Sequence, residues 1–153
     1  MTWPMKMALW LYIAKPSLKF GCEATPMSET AMNEVTRQQV GMSKAVLGLP
    51  QCAPNISGDV LLGTKPFRDE IFGMQLKFYV RLQQQKDSRW SKDSLLDHLR
   101  GLWPSPYIKH IIAIKKEVGM VRGPVSAKHV DIALRHYSLI KLNTKIFSLD
   151  LPA

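Results

Sequence analysis

The chain has 153 residues, two cysteines and a formal net charge of +9, from 21 basic and 12 acidic side chains. This length fits one folded domain with its own core, and two cysteines are too few for a disulfide-held scaffold. Cys22 and Cys52 form no C-x-x-C motif, so they can make one bridge or stay reduced, and two buried thiols are the favoured interpretation. Reduced thiols predict an intracellular protein, cytoplasmic or nuclear.

The N-terminal segment predicts an amphipathic helix that starts after Thr2. Pro4 is tolerated in a first helical turn, whereas Pro16 is predicted to end the helix. Three apolar residues are predicted to pack inward: Trp10, Leu11 and Ile13. The apolar run at 7–14 is too short to span a membrane and lacks a small-x-small cleavage site, so neither a membrane partner nor a signal peptide is expected.

The next helix is predicted between Ser28 and Gly48. The Ser28 hydroxyl can cap the first turn, Gly48 can stop the helix, and Pro50 prevents its continuation. Apolar residues recur at about the helical period and define the predicted inward face: Ala31, Val35, Met42, Ala45 and Val46. The opposite face is assigned to Arg37, Gln38 and Lys44.

Five further helices are predicted from capping and stop residues, over 56–62, 66–82, 91–101, 105–119 and 126–141. The helix after Pro66 has the strongest predicted core face: Phe67, Ile71, Met74, Phe78 and Leu82. The next two are predicted to bury Leu95, Leu96 and Leu99, then Ile108, Ile111, Ile112 and Val118. The last is predicted to bury Val130, Ala133, Leu134, Tyr137 and, near its end, Ile140 or Lys141.

These patterns together predict an all-α fold. Residues 1–153 are expected to form one small domain of five to seven short amphipathic helices, with no internal repeat. A short strand at 146–151 is the alternative for that stretch alone.

Four motifs in chain order carry a resemblance to a known family: Phe20-Gly21-Cys22-Glu23, Leu47-Gly48-Leu49-Pro50, Ala53-Pro54-Asn55 and Leu61-Leu62-Gly63. Together with the helix between the first two, they resemble the segment after the polymerase core of LINE-type (non-LTR) retrotransposon reverse transcriptases. The resemblance covers roughly residues 5–90 and fades beyond Trp90. It implies that residues 1–90 correspond to the thumb and following region, and that 91–153 form a basic helical extension.

The sequence lacks the acidic residues that polymerisation needs. A reverse transcriptase holds two metal ions on carboxylates, usually including an Asp-Asp turn, and this chain has no adjacent aspartates. Asp69 and Glu70 are predicted instead to complement a helix N-terminus. The resemblance therefore implies a fragment without its catalytic palm, which is not an enzyme by itself.

Other signs of chemistry are weak. The four histidines are His98, His110, His129 and His136, and only the last two share a predicted helix face. A zinc site needs more ligands, and the chain has neither a Cys/His knuckle, a Gly-rich phosphate loop nor a catalytic-triad motif. We expect no cofactor and no metal.

Basic residues concentrate toward the C-terminus. From Lys109 to Lys145 there are eight basic and two acidic residues, a net charge of +6. Residues seven apart share a helix face, which pairs Lys109 with Lys116 and Lys128 with Arg135. The predicted contacts to an RNA or DNA backbone are Lys77, Arg81, Lys109, Lys116, Lys128 and Arg135. Lys77 and Arg81 are four apart and repel each other unless an anion lies between them. Solvated surface is the alternative for all six.

Two other modes of nucleic-acid binding have weaker support. Trp90, Trp103 and Tyr107 can stack on bases beside Arg89 and Lys92, although packing is the favoured interpretation. A helix-turn-helix is not favoured because the connection at 119–125 is longer than the usual turn.

The alternative function is a helical protein-interaction module without a nucleic-acid role. Its exposed apolar surface, with eight adaptable methionines in the chain, would bind a polymerase core or another protein.

Overall fold

The computed structural model describes residues 2–55, 61–85, 90–101, 105–120 and 126–149. These residues contain six helical segments and no strand, which confirms the all-α fold. Leu61 and Leu62 are helical and Gly63 follows at a φ of 60°, while the remainder of the helix predicted at 56–62 lies outside the described residues. Residues 146–149 continue the last helix, so a strand there is wrong.

The first helical segment comprises α1 (Trp3–Leu9), a π-helical stretch (Trp10–Ala14) and α2 (Lys15–Lys19). The others are α3 (Glu29–Leu47), α4 (Phe67–Gln83), α5 (Trp90–Leu99), α6 (Pro106–Glu117) and α7 (Ala127–Leu149). The chain divides into two compact units, residues 1–71 and 72–153, and the division falls inside α4. A single domain stays a prediction.

Local signals set most helix ends as predicted. Three serine hydroxyls accept hydrogen bonds from backbone N–H groups in the first turn: Ser28 from Ala31 at 3.2 Å, Ser105 from Ile108 at 3.4 Å and Ser126 from His129 at 3.3 Å. Gly48 stops α3 in the left-handed conformation, with a φ of 67°. Ser91, predicted to cap the next helix, does not do so. The helix α5 begins at Trp90, and the Ser91 hydroxyl donates to the Gln85 side chain.

The prediction that Pro16 ends the first helix is wrong. In a regular α-helix its ring would collide with the Tyr12 carbonyl, four residues back. The π-helical stretch before Pro16 avoids this, because the Lys15 N–H donates to the Trp10 carbonyl five residues back. The altered register also changes which side chains are buried: Trp10 is buried as predicted, but Leu11 and Ile13 are exposed.

The buried face of α3 is largely polar, contrary to prediction. Of the predicted inward residues, Val46 is buried and Met42 is exposed. Gln39 is buried and its Nε2 donates to the Lys65 carbonyl at 3.1 Å. Lys44, assigned to the outer face, is buried and its Nζ donates to Asn55 Oδ1 at 2.9 Å. Partners supplied by the following loops offset the cost of burying these polar groups.

An ion-pair cluster connects the first helical segment to the start of α4. Lys15 Nζ lies 2.6 Å from Glu70 Oε1, and Lys19 binds the other carboxylate oxygen. Asp69 and Glu70 occupy the first turn of α4, as predicted. Cys22 and Cys52 do not form a disulfide. Burial raises the pKa of Cys22, whereas Cys52 is exposed, so only one thiol is buried as expected.

The core of the second unit comes from α4 to α7. Its buried apolar residues are Phe72, Leu76, Tyr79, Val80, Leu95, Ile108, Ile111, Ile114, Val118, Val130 and Leu134. The predicted inward residues Leu99, Ile112 and Ile140 are exposed. On α6 the reason is register, because spacings of three from Ile108 place Ile111 and Ile114 inward and turn Ile112 outward.

Several other predicted core residues are only partly covered. Met74, Phe78, Leu82, Leu96, Ala133, Tyr137 and Lys141 have intermediate exposure. They lie at the edges of the buried faces rather than in their centres.

Candidate nucleic-acid interface

The net positive charge of the chain lies almost entirely in one unit. Residues 72–153 contain 14 basic and six acidic side chains, a net charge of +8, whereas residues 1–71 contain seven and six, a net charge of +1. All six predicted phosphate contacts belong to the second unit, on α4, α6 and α7. A polyanion would therefore be attracted to this unit far more than to the other.

On α6, the predicted pair Lys109 and Lys116 lies on the outer face. Both side chains are exposed, and neither makes an ion pair within the described part of the chain. The adjacent Lys115 differs because its Nζ lies 6.0 Å from the centre of the Tyr79 ring. The seven-residue spacing therefore selects the two exposed lysines, Lys109 and Lys116, and leaves out Lys115, which lies near the Tyr79 ring.

On α7, Lys128 and Arg135 are also exposed and make no ion pair among the described residues. Asp131 lies between them on the helix, but its Oδ1 accepts from Lys77 Nζ at 2.7 Å. Asp131 therefore offsets the charge of Lys77. Four of the six predicted residues remain exposed without a charged partner on the described chain or an aromatic contact.

Arg81 has a contact that sequence alone did not reveal. Its guanidinium lies 5.5 Å from the centre of the Phe78 ring, while Lys77 is directed to Asp131. These contacts offset the expected repulsion between the two cations, so no intervening anion is needed.

A second network, also missed by sequence analysis, joins the end of α6 to α7. The Tyr137 hydroxyl donates to Glu117 Oε1, and Lys141 Nζ lies 3.4 Å from the same oxygen. Lys141 Nζ is also 4.4 Å from the centre of the Tyr137 ring. This cation is therefore used within the fold, which the residue spacing could not indicate.

The aromatic candidates separate into two kinds. Tyr107 packs edge to face against Phe78, with ring centres 6.3 Å apart, and its hydroxyl donates to the Gln75 carbonyl at 3.4 Å. Packing therefore accounts for Tyr107. Trp90 is 84% exposed. Arg89, Trp103 and most of the 119–125 connection lie outside the described residues.

The histidine side chains that the structure describes do not converge on a metal site. His110 Nε2 lies 3.1 Å from Gln75 Oε1, and burial lowers the pKa of His110. His129 Nδ1 lies 3.1 Å from the Ser126 hydroxyl, and the His98 side chain is outside the described set. Among the described residues, no three His, Cys, Asp or Glu side chains are grouped so as to hold a metal ion.

The first unit has a different surface feature, an apolar groove of about 340 Å³ between the first helical segment and α3. It is lined by Lys6, Leu9, Trp10, Ile13, Ala14, Met42, Ala45 and Val46.

Within the described residues, no helix has both the length and the apolar character that crossing a bilayer requires.

Comparison of the chain with protein-family models, with curated proteins and with solved structures gives no match. The fold and surface define a small basic all-α protein with exposed cations on two helices of one unit. The resemblance to the reverse transcriptase thumb stays a prediction from the sequence motifs.

Proposed function

We propose that the chain grips the phosphate backbone of RNA or DNA through the outer faces of α6 and α7. It does so as a non-catalytic fragment resembling the thumb and following region of a LINE-type reverse transcriptase. One observation supports this most directly: Lys109, Lys116, Lys128 and Arg135 are exposed cations without ion-pair partners among the described residues. They belong to a unit of net charge +8.

The grip is electrostatic and reads no sequence. Residues seven apart on a helix are separated by about 10 Å along its axis, roughly three phosphate steps of a stacked strand. Each helix thus presents two positive charges at a spacing that one strand can meet. Lysine and arginine heads on exposed helix faces contact phosphates rather than base edges, so base specificity is not expected.

The test is binding of the purified chain to short RNA, single-stranded DNA and an RNA–DNA hybrid, measured by fluorescence anisotropy across a salt series. Four phosphate contacts predict a log-log salt slope between about −3 and −4, because each contact to a duplex contributes about −0.9. Affinity that stays flat with salt would contradict the proposal.

Matched variants separate this surface from net charge alone. Lys109→Glu with Lys116→Glu should weaken binding at least about tenfold, since two phosphate contacts become repulsions. Lys6→Glu with Lys65→Glu changes the net charge equally, at two exposed lysines of the first unit, and should leave most of the affinity. Equal losses of affinity in the two double variants would show that nucleic acid is attracted by the net charge of the chain and not by a particular surface.

A protein-interaction module is the second candidate. The exposed apolar residues of the first helical segment favour it, among them Leu11, Tyr12 and Ile13. It predicts self-association measurable by sedimentation, which Ile13→Glu removes and Lys109→Glu with Lys116→Glu leaves unchanged. A monomer at all concentrations that still binds nucleic acid would favour the phosphate grip.

A further inference from the structure

The outer face of α7 carries apolar side chains that a phosphate grip does not use. Five exposed residues succeed one another at spacings of three and four and form what we call the outer seam: His129, Ile132, His136, Leu139 and Asn143. Ile132 is 66% exposed and Leu139 is 57% exposed. Spacings that alternate between three and four are those of a helix packing along another helix.

The outer seam is distinct from the side of α7 that stabilises the fold. Val130 and Leu134 are buried in the core of the second unit, where Leu134 approaches Gly73 of α4. Ile132 and Leu139 point away from these contacts and remain in solvent. Ile140, beside the seam, is exposed as well. Burial of these exposed apolar side chains lowers the free energy only when another apolar surface covers them.

The charges beside the seam restrict what can cover it. Lys128 and Arg135 each precede a seam residue by one position and lie seven apart, so both flank the same side of the stripe. Asp131, the acidic residue of this stretch, is bound to Lys77. The surface offered to a partner therefore carries two apolar side chains, Ile132 and Leu139, between polar ones, and it is positive along one edge.

A second copy of this chain is a poor complement to that surface. In an antiparallel pair of α7 helices, Lys128 and Arg135 would face the same residues of the other copy and repel them. In a parallel pair they would face Ala133 and Ile140, which offer no opposite charge. Charge complementarity instead requires carboxylates on the partner.

We infer that the outer seam of α7 docks an amphipathic helix of another protein whose apolar stripe is edged by Asp or Glu. Ile132 and Leu139 supply the apolar contact, and Lys128 and Arg135 select the acidic edge. Since these two cations also belong to the phosphate grip, nucleic acid and the acidic helix would compete for α7. The inference itself does not require nucleic-acid binding.

The test uses a synthetic probe of about 25 residues, long enough to hold a helix, with Leu at the seam-facing positions and Glu at the flanks. A matched probe has Lys in place of every Glu. Fluorescence anisotropy of the labelled probes against the full chain should show binding of the Glu probe and little binding of the Lys probe.

Two variants test the two parts of the surface. Ile132→Ser with Leu139→Ser should weaken Glu-probe binding at least about tenfold, because two apolar side chains no longer cover the stripe. Ile13→Ser with Ile112→Ser is the control, since those residues are 59% and 58% exposed elsewhere in the chain. Lys128→Glu with Arg135→Glu should reverse the preference toward the Lys probe. Circular dichroism checks that every variant is folded.

Failure of this inference is distinguishable from failure of the phosphate grip. The serine variant of the seam should bind nucleic acid as the parent chain does, and Lys109→Glu with Lys116→Glu should keep Glu-probe binding. The inference is overturned if the Glu probe does not bind in low salt, if the seam variant binds it undiminished, or if the charge swap leaves the preference unchanged.

Discussion

His110 lies on α6 with its Nε2 3.1 Å from the amide oxygen of the buried Gln75 on α4. Burial lowers the pKa of this imidazole below its ordinary value of 6.5, because the partly apolar surroundings disfavour the charged form. The unfolded chain therefore binds a proton at this site more readily than the folded protein. Its contribution to the free energy of unfolding is complete above pH 6.5 and falls as the pH drops toward the lower folded pKa.

Replacing this one side chain should reduce the acid sensitivity of the fold. His110→Gln, which keeps a polar group toward Gln75, should show a smaller loss of unfolding free energy between about pH 7 and 5 than the parent chain. Urea denaturation at several pH values measures this loss. His136→Gln, at an exposed position on α7, is the control. An undiminished loss in His110→Gln would contradict the role assigned to burial.

Single residues also show where sequence analysis succeeds and where it stops. Ser28 and Gly48 act on groups within a few positions of themselves, so their roles were predictable from the sequence. The partner of Lys77 is Asp131, on another helix, and no local pattern identifies that pair. Four predicted phosphate contacts are exposed without an ion pair among the described residues, as their helical periodicity suggests. Arg81 is exposed too, but it lies over Phe78, three positions earlier on its own helix.

At the scale of elements, helix ends are predicted better than helix faces. The end signals are caps and glycines, which act locally, whereas α3 buries Gln39, Ser43 and Lys44. A prediction based only on the spacing of apolar residues places the face of α3 that carries these polar side chains in solvent. Partners supplied by the loops at Lys65 and Asn55 satisfy Gln39 and Lys44, and those loops cannot be placed from the periodicity of α3.

Two glycines inside helices should respond differently to the same substitution. Gly41 in α3 has no atom within 4 Å of an added Cβ, so Gly41→Ala should raise the free energy of unfolding by about 0.5–1 kcal/mol. At Gly73 in α4 an added Cβ would lie 2.9 Å from Leu134 Cδ1. Since the side chain of Leu134 must shift, Gly73→Ala should lose most or all of that gain.

Thermal and urea unfolding of the two variants measure the difference. The two variants have the same composition, so a difference between their free energies of unfolding reflects the surroundings of the substituted glycine. An equal stabilisation at both positions would contradict the close packing of α4 against α7.

At the scale of the whole molecule, the uneven charge distribution predicts coupling between ligand and stability. A polyanion that binds only the folded chain raises its apparent stability, by about 2.7 kcal/mol at a concentration one hundred times the dissociation constant. Short oligonucleotides should therefore raise the Tm in low salt, and the increase should vanish in high salt. Lys109→Glu with Lys116→Glu should abolish most of it, and differential scanning fluorimetry would record the shifts.

An equal Tm shift in this charge-reversal pair and in Lys6→Glu with Lys65→Glu would contradict the assignment of the binding surface to the second unit.

The fold class and the charge gradient along the chain were predictable because both depend on sequence composition and period. The division at Ile71 was not, because it falls within α4, a helix without a break in its sequence pattern.

The π-helical stretch at Trp10–Ala14 has one more consequence, for insertions and deletions. Such a stretch takes up one residue more than the α-helical turn it replaces, so α2 keeps the rotation relative to α1 that a regular helix one residue shorter would give. Trp10 reaches the core at its start, while Lys15 and Lys19 reach Glu70 after its end. Deleting one residue there would restore a regular α-helix with the tryptophan and the two lysines on their present sides. Inserting a further residue would turn one side relative to the other by about 100°, so that the tryptophan and the two lysines could no longer all keep their contacts.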